Sequence, residues 1–127
     1  MTGANGAAGA LQTGHAMKKF VALYIAPQSA QAQMAESTPE AAQEGMKAWM
    51  GWAERAGDGI VDLGTPLGTG KEINATGSSE TNTGVGGYTI LQAEDLAGAE
   101  ALLDGHPHLM MPGASIQVYE TLDLPGM

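Results

Sequence analysis

Apolar positions recur along this chain in two periods, and the switches between them mark its elements. From Lys19 to Ile25 (KFVALYI) they are nearly continuous, the mark of a strand covered on both faces in the middle of a sheet. Pro27 ends it. The polar stretch Gln28–Ser37 reads as a loop. Thr38 then supplies an N-cap, Pro39 suits the first helical position, and Glu40 and Glu44 lie near the positive end of the helix dipole. Ser37 with Glu40 offers a capping box one residue earlier. Ala42, Met46, Trp49 and Ala53 share one helical face, and Gly57 closes the helix just after Arg55.

Ile60–Leu63 reads as a short strand, followed by the turn-rich Gly64-Thr65-Pro66-Leu67-Gly68. Gly68-Thr69-Gly70 reads as a hairpin turn, Lys71–Ala75 as an edge strand and Gly77–Gly84 as a polar loop. Val85–Ala93 holds a clear strand. A second helix over Glu94–Leu103 carries the stripe Leu96, Ala99, Leu102, Leu103 and is stopped by Gly105 and Pro107. The last strand, Ser115–Leu122, alternates Ile116 and Val118 with Gln117 and Tyr119. The order βαββαβ, with one strand on an edge, predicts an α+β fold: a ferredoxin-like antiparallel sheet with two helices on one face. The other face would be bare and apolar. Monomers rarely expose such a patch, and two-fold pairing is the commonest way to cover it, so a homodimer is expected.

At 127 residues the chain is long enough for one core and one domain. Residues 1–16 hold four glycines and almost no large apolar side chain, so they are expected to be a flexible leader, an expression artefact or a late-evolved extension. The folded domain is expected over 17–127. Trp49, Trp52, Tyr24, Tyr88, Tyr119 and Phe20 are all its aromatics, which leaves the core to aliphatic residues and Met.

The net charge of −9 leaves only Lys18, Lys19, Lys47, Arg55 and Lys71 as bases. They are too scattered to neutralise phosphates in a patch, which argues against nucleic acid and against anionic membranes as partners. The chain has no cysteine, which removes disulfides and thiolate chemistry. No apolar run spans a bilayer and no secretion signal is visible, so the expected location is cytoplasmic.

Several segments, in order, resemble the YCII-related family, in particular its DGPF branch within the dimeric α/β-barrel group. They are Met17-Lys18-Lys19-Phe20-Val21-Ala22-Leu23-Tyr24, Trp49-Met50-Gly51-Trp52 before Ala56-Gly57-Asp58, and Asp62-Leu63-Gly64-Thr65-Pro66-Leu67-Gly68. Gly86-Gly87-Tyr88-Thr89-Ile90 and Gly105-His106-Pro107-His108-Leu109 complete the set. The resemblance covers about residues 17–121 and implies a ferredoxin-like fold, frequent dimers and a poorly defined function. Two departures stand out. The branch's DGPFAETKE stretch corresponds to roughly 75–85, where only the glycine and the pair Glu80-Thr81 survive. Some members carry a His–Asp dyad; Asp58 fills the aspartate position, but the histidine position falls on Met46. A thioether transfers no proton, so dyad chemistry of the dehydrochlorinase kind is not expected.

His106-Pro107-His108 is the most suggestive local chemistry: two imidazoles, the side-chain type suited to general acid and base work near neutral pH. No third ligand completes a metal pattern, and no metal or cofactor is expected. Asp58 is a candidate base at a pocket mouth or a solvated turn carboxylate, as is Asp62. The glycines around Gly68 lack the order of a phosphate loop. The leading expectation is a small-molecule-binding dimer with Tyr24, Trp49, Tyr88, His106 and His108 as pocket walls, between sheet and helices or at the subunit interface. A cofactor-independent acid–base enzyme is the second reading, with His106, His108 and Asp58 as catalytic candidates. A structural or protein-interaction module is the third.

Overall fold

A computed structural model describes residues 17–81 and 83–125; the expected leader, 1–16, lies outside them. The chain runs β1 (Lys18–Ile25), α1 (Ala30–Glu36), α2 (Pro39–Ala56), β2 (Ile60–Asp62), β3 (Lys71–Asn74), β4 (Gly77–Glu80), β5 (Val85–Ala93), α3 (Leu96–Leu102) and β6 (Ser115–Glu120). Short 3-10 turns at Gly57–Gly59 and Pro107–Met110 follow α2 and α3. Four strands form one antiparallel sheet in the order β2-β5-β1-β6, an α+β arrangement consistent with a ferredoxin-like fold. The apolar strand β1 is central, as its two-sided pattern predicts.

Register assigns the faces. Phe20 pairs with Leu91, Ala22 with Thr89, and Tyr24 with Gly87, and all six are buried beneath the end of α2 and α3. Trp52, Ala99 and Leu103 close this core with Ala93. Val21 and Leu23, opposite Ile90 and Tyr88, lie on the other face together with Tyr119, the partner of Val21 on β6. No helix of the described residues is long and apolar enough to cross a membrane.

The local signals of α2 hold in detail. Thr38 accepts the Ala41 N–H at 3.0 Å, so it is Thr38, not Ser37, that caps the helix. Gly57 ends it by donating its N–H to the Ala53 carbonyl.

Four expectations need correction. The segment Gln28–Ser37 contains the helix α1, capped by Ser29 through a 3.0 Å bond from Ala32 N–H. Its Ala, Gln, Met and Glu residues favour helix without an apolar stripe, and none of them is buried. Among the described residues the α-helices therefore number three. Gly77–Gly84 is not all loop, because Gly77–Glu80 pairs with Lys71–Asn74 in a ribbon separate from the main sheet. The turn of that ribbon is Ala75-Thr76, where Asn74 Oδ1 accepts from the Thr76 N–H and hydroxyl at 2.9 and 2.8 Å; it is not Gly68-Thr69-Gly70. Both ribbon strands are exposed throughout, so no alternation could announce the second one. Finally, only the end of the α2 stripe docks: Trp49 and Ala53 are partly buried, whereas Ala42 and Met46 face solvent.

Candidate functional site

On the helix side of the sheet, where β1 ends, three rings meet around His106. Its centroid lies 4.3 Å from Trp52, 4.5 Å from Trp49 and 5.0 Å from Tyr24. The His108 ring also approaches Tyr24, at 5.2 Å between centroids. The rings arrive from three elements: Tyr24 from β1, the tryptophans from α2, and the histidines from the 3-10 turn after α3. Gly87 makes room for Tyr24 across the β1–β5 pair, since a Cβ there would stand 3.2 Å from Tyr24 Cδ2.

Hydrogen bonds fix the cluster. His106 Nδ1 accepts the His108 backbone N–H at 2.9 Å, capping the turn Pro107–Met110. With Nδ1 as acceptor, the neutral ring carries its proton on Nε2. That Nε2 is buried and finds no hydrogen-bond partner among the described residues, and the surrounding aromatic faces give it weak N–H···π contact at most. Burial, with His108 and Arg55 adding positive charge, lowers the His106 pKa to about 4, so the ring is neutral at pH 7. His108 Nε2 donates to two carbonyls, Ile25 at 2.9 Å and Ser115 at 3.0 Å. Ile25 and Ser115 are the last pair of the β1–β6 register, and His108 bridges the strands where that ladder ends.

Thr89 continues the network. Its hydroxyl donates to the Leu63 carbonyl at 2.8 Å and accepts from the Tyr24 hydroxyl at 2.6 Å. Burial pushes the Tyr24 phenol up to about 12, with the Thr89 bond working the other way, and it remains a neutral donor. Thr89→Val keeps the shape but strips the Tyr24 hydroxyl and the Leu63 carbonyl of their partner. The expected cost is about 1–3 kcal/mol, read from urea denaturation; a loss under half of the lower bound would mean that water replaces the hydroxyl.

Of the residues singled out in the sequence, Tyr24, Trp49, His106 and His108 come together. Tyr88 does not join them, because its register with Leu23 turns it to the opposite face. Asp58 is exposed in the 3-10 turn Gly57–Gly59, where its backbone carbonyl accepts from Gln92 Nε2 at 2.7 Å. Asp62 holds its own turn, accepting the Gly64 N–H at 2.9 Å. Sequence reasoning leaves Trp52 out of the pocket walls and misses Thr89. The signal for Thr89 is a hydroxyl at alternate spacing from Gly87, Leu91 and Ala93, the helix-facing positions of β5.

Among the described residues no three His, Cys, Asp or Glu side chains converge as for a metal ion. An open hollow of about 590 Å³ runs along α2 beside Met46, Lys47, Met50 and Glu54 and shares no residue with the aromatic cluster. No protein-family model matches the chain, and no curated protein sequence matches it.

Proposed function

We propose that this chain is a homodimeric small-molecule-binding domain of YCII-related type, built as a dimeric α/β barrel and working in the cytoplasm. Its ligand site is the cluster of Tyr24, Trp49, His106 and His108. The observation that carries this reading is the buried Nε2–H of His106, a donor set among aromatic rings with no acceptor among the described residues. A small molecule with a flat apolar body and a carbonyl or carboxylate oxygen supplies what that atom lacks. Trp49 is the door: it is partly exposed and stands where α2 passes from its undocked to its docked half.

Proton transfer is less well supported than binding. His106 Nδ1 and His108 Nε2 are already engaged within the fold, and a histidine titrating near pH 4 makes a poor acid at neutrality.

A panel of small aromatic carbonyl and carboxylate compounds tests the site by thermal shift. A binder at 100 times its Kd adds about 2.7 kcal/mol, and Trp49→Ala should abolish the gain. If no compound stabilises the protein, the binding role is lost and the interaction-module reading stands.

The dimer rests on the other face of the sheet. Val21, Leu23, Tyr88 and Ile90 form its centre, with the exposed Tyr119 beside them. A second copy turned about a two-fold axis covers this face with itself. Light scattering is expected to give a two-chain mass for the wild type and a one-chain mass for Ile90→Glu, which buries a carboxylate against its twin. A single-chain mass for the wild type at high concentration rules the pairing out.

A further inference from the structure

We propose that His106 is an acid-operated latch: a proton on its Nδ1 releases the turn Pro107–Met110 from the sheet and uncovers Trp49 and Trp52 while the sheet stays folded. The geometry makes the two states mutually exclusive. In the closed state Nδ1 must be an acceptor, because the His108 N–H points at it from 2.9 Å. Protonation turns Nδ1 into a donor, and two donors then face each other. The ring is only 1 % exposed, so water does not reach the new charge in place.

The groups around it do not neutralise that charge. From β1 comes the neutral phenol of Tyr24, from α2 the two indoles and the cation Arg55, and from the turn itself the titratable His108. The indole faces attract a cation, but this offsets only part of a lost hydrogen bond and a buried, unpaired charge. The same turn carries the second tie, since His108 Nε2 holds the ends of β1 and β6. Expelling His106 therefore loosens the β1–β6 seam as well.

The pH window follows from the ring's two affinities. Outside the closed state it takes a proton near the ordinary 6.5, and inside only near 4. Closure is fully favoured above about pH 6.5 and weakens as pH falls toward 4, by about 300-fold at the limit.

Trp49 and Trp52 are the only tryptophans, and both touch His106. Acrylamide quenching of the whole chain therefore reads the latch directly, with far-ultraviolet circular dichroism as the check on the fold. The expected result is a rise in quenching between pH 6.5 and 4 with the dichroism preserved. His106→Asn keeps an acceptor at the Nδ1 position and does not titrate, and it should stay flat over that range. Unchanged quenching in the wild type, simultaneous loss of dichroism, or the same transition in His106→Asn each overturns the latch. Should the variant not fold, NMR titration of the wild-type His106 ring decides. A value near 6.5 without movement of the Trp signals overturns the proposal; a depressed value with coincident Trp movement supports it.

Discussion

Trp52→Ala is expected to remove about 4 kcal/mol of stability, a large share of what a domain of this size possesses. Trp52 is 1 % exposed, and its ring joins the two halves of the core. It packs with Phe20, Ala22 and Leu91 of the sheet and with Ala99 and Leu103 at α3. Its Nε1–H also donates to the Leu102 carbonyl at 2.8 Å, meeting one of the carbonyls that a helix leaves unpaired at its end. Alanine leaves a cavity, an orphaned carbonyl and an unsupported His106. Trp52→Phe fills most of the volume and loses only the donor, so its cost should be about 1–2 kcal/mol. Urea denaturation followed by circular dichroism orders the three proteins. A Trp52→Ala value within about 1 kcal/mol of wild type would mean that the α2–sheet junction is not part of the stable core.

The second large effect belongs to a position with no side chain. Gly64 has φ +80°, and a Cβ there would lie 1.8 Å from the Tyr88 carbonyl oxygen and 2.7 Å from its carbon. The left-handed backbone alone costs a non-glycine residue about 1–2 kcal/mol. The overlap adds more, because the clashing atoms are backbone of β5 and cannot rotate away. Displacing Tyr88 also moves Thr89, whose hydroxyl joins Leu63 to Tyr24. Gly64→Ala is therefore expected to cost more than about 3 kcal/mol. Gly45→Ala is the control: Gly45 lies inside α2, and a Cβ added to it would meet nothing within 4 Å. Alanine there should stabilise by about 0.5–1 kcal/mol. Equal effects at the two positions, read by the same denaturation, would show that β2 and β5 separate easily where Gly64 meets Tyr88.

Both effects arise at junctions, and this is where a reading of the sequence stops short. Trp52 is visible as an aromatic residue of a helix, but the apolar stripe of α2 points equally to Ala42, Met46, Trp49 and Ala53. Which turns of that helix dock depends on where β1 and α3 end beneath it, and only the last turns find cover. The gathering of Tyr24, Trp49, His106 and His108 is legible as a set of polar-tipped rings. The orientation of each ring is not. His106-Pro107-His108 reads as paired titratable groups, yet one imidazole caps the turn that holds the other.

Local rules by themselves determined β1, α2 with its Gly57 end, the strand of β5, the helix α3 and the strand β6, because caps, prolines and periodicity act over a few residues. From their order came the α+β layout with one helix-covered face. Only the tertiary structure decided that Tyr88 faces away from Tyr24, since β5 carries apolar residues on both sides and its pairing with β1 selects between them. The same holds for the bonds of the site: Tyr24 meets Thr89 across 65 positions, and His108 meets Ile25 across 83. Contacts at that separation depend on strand register and on how the chain returns to the sheet, which no short window of residues contains.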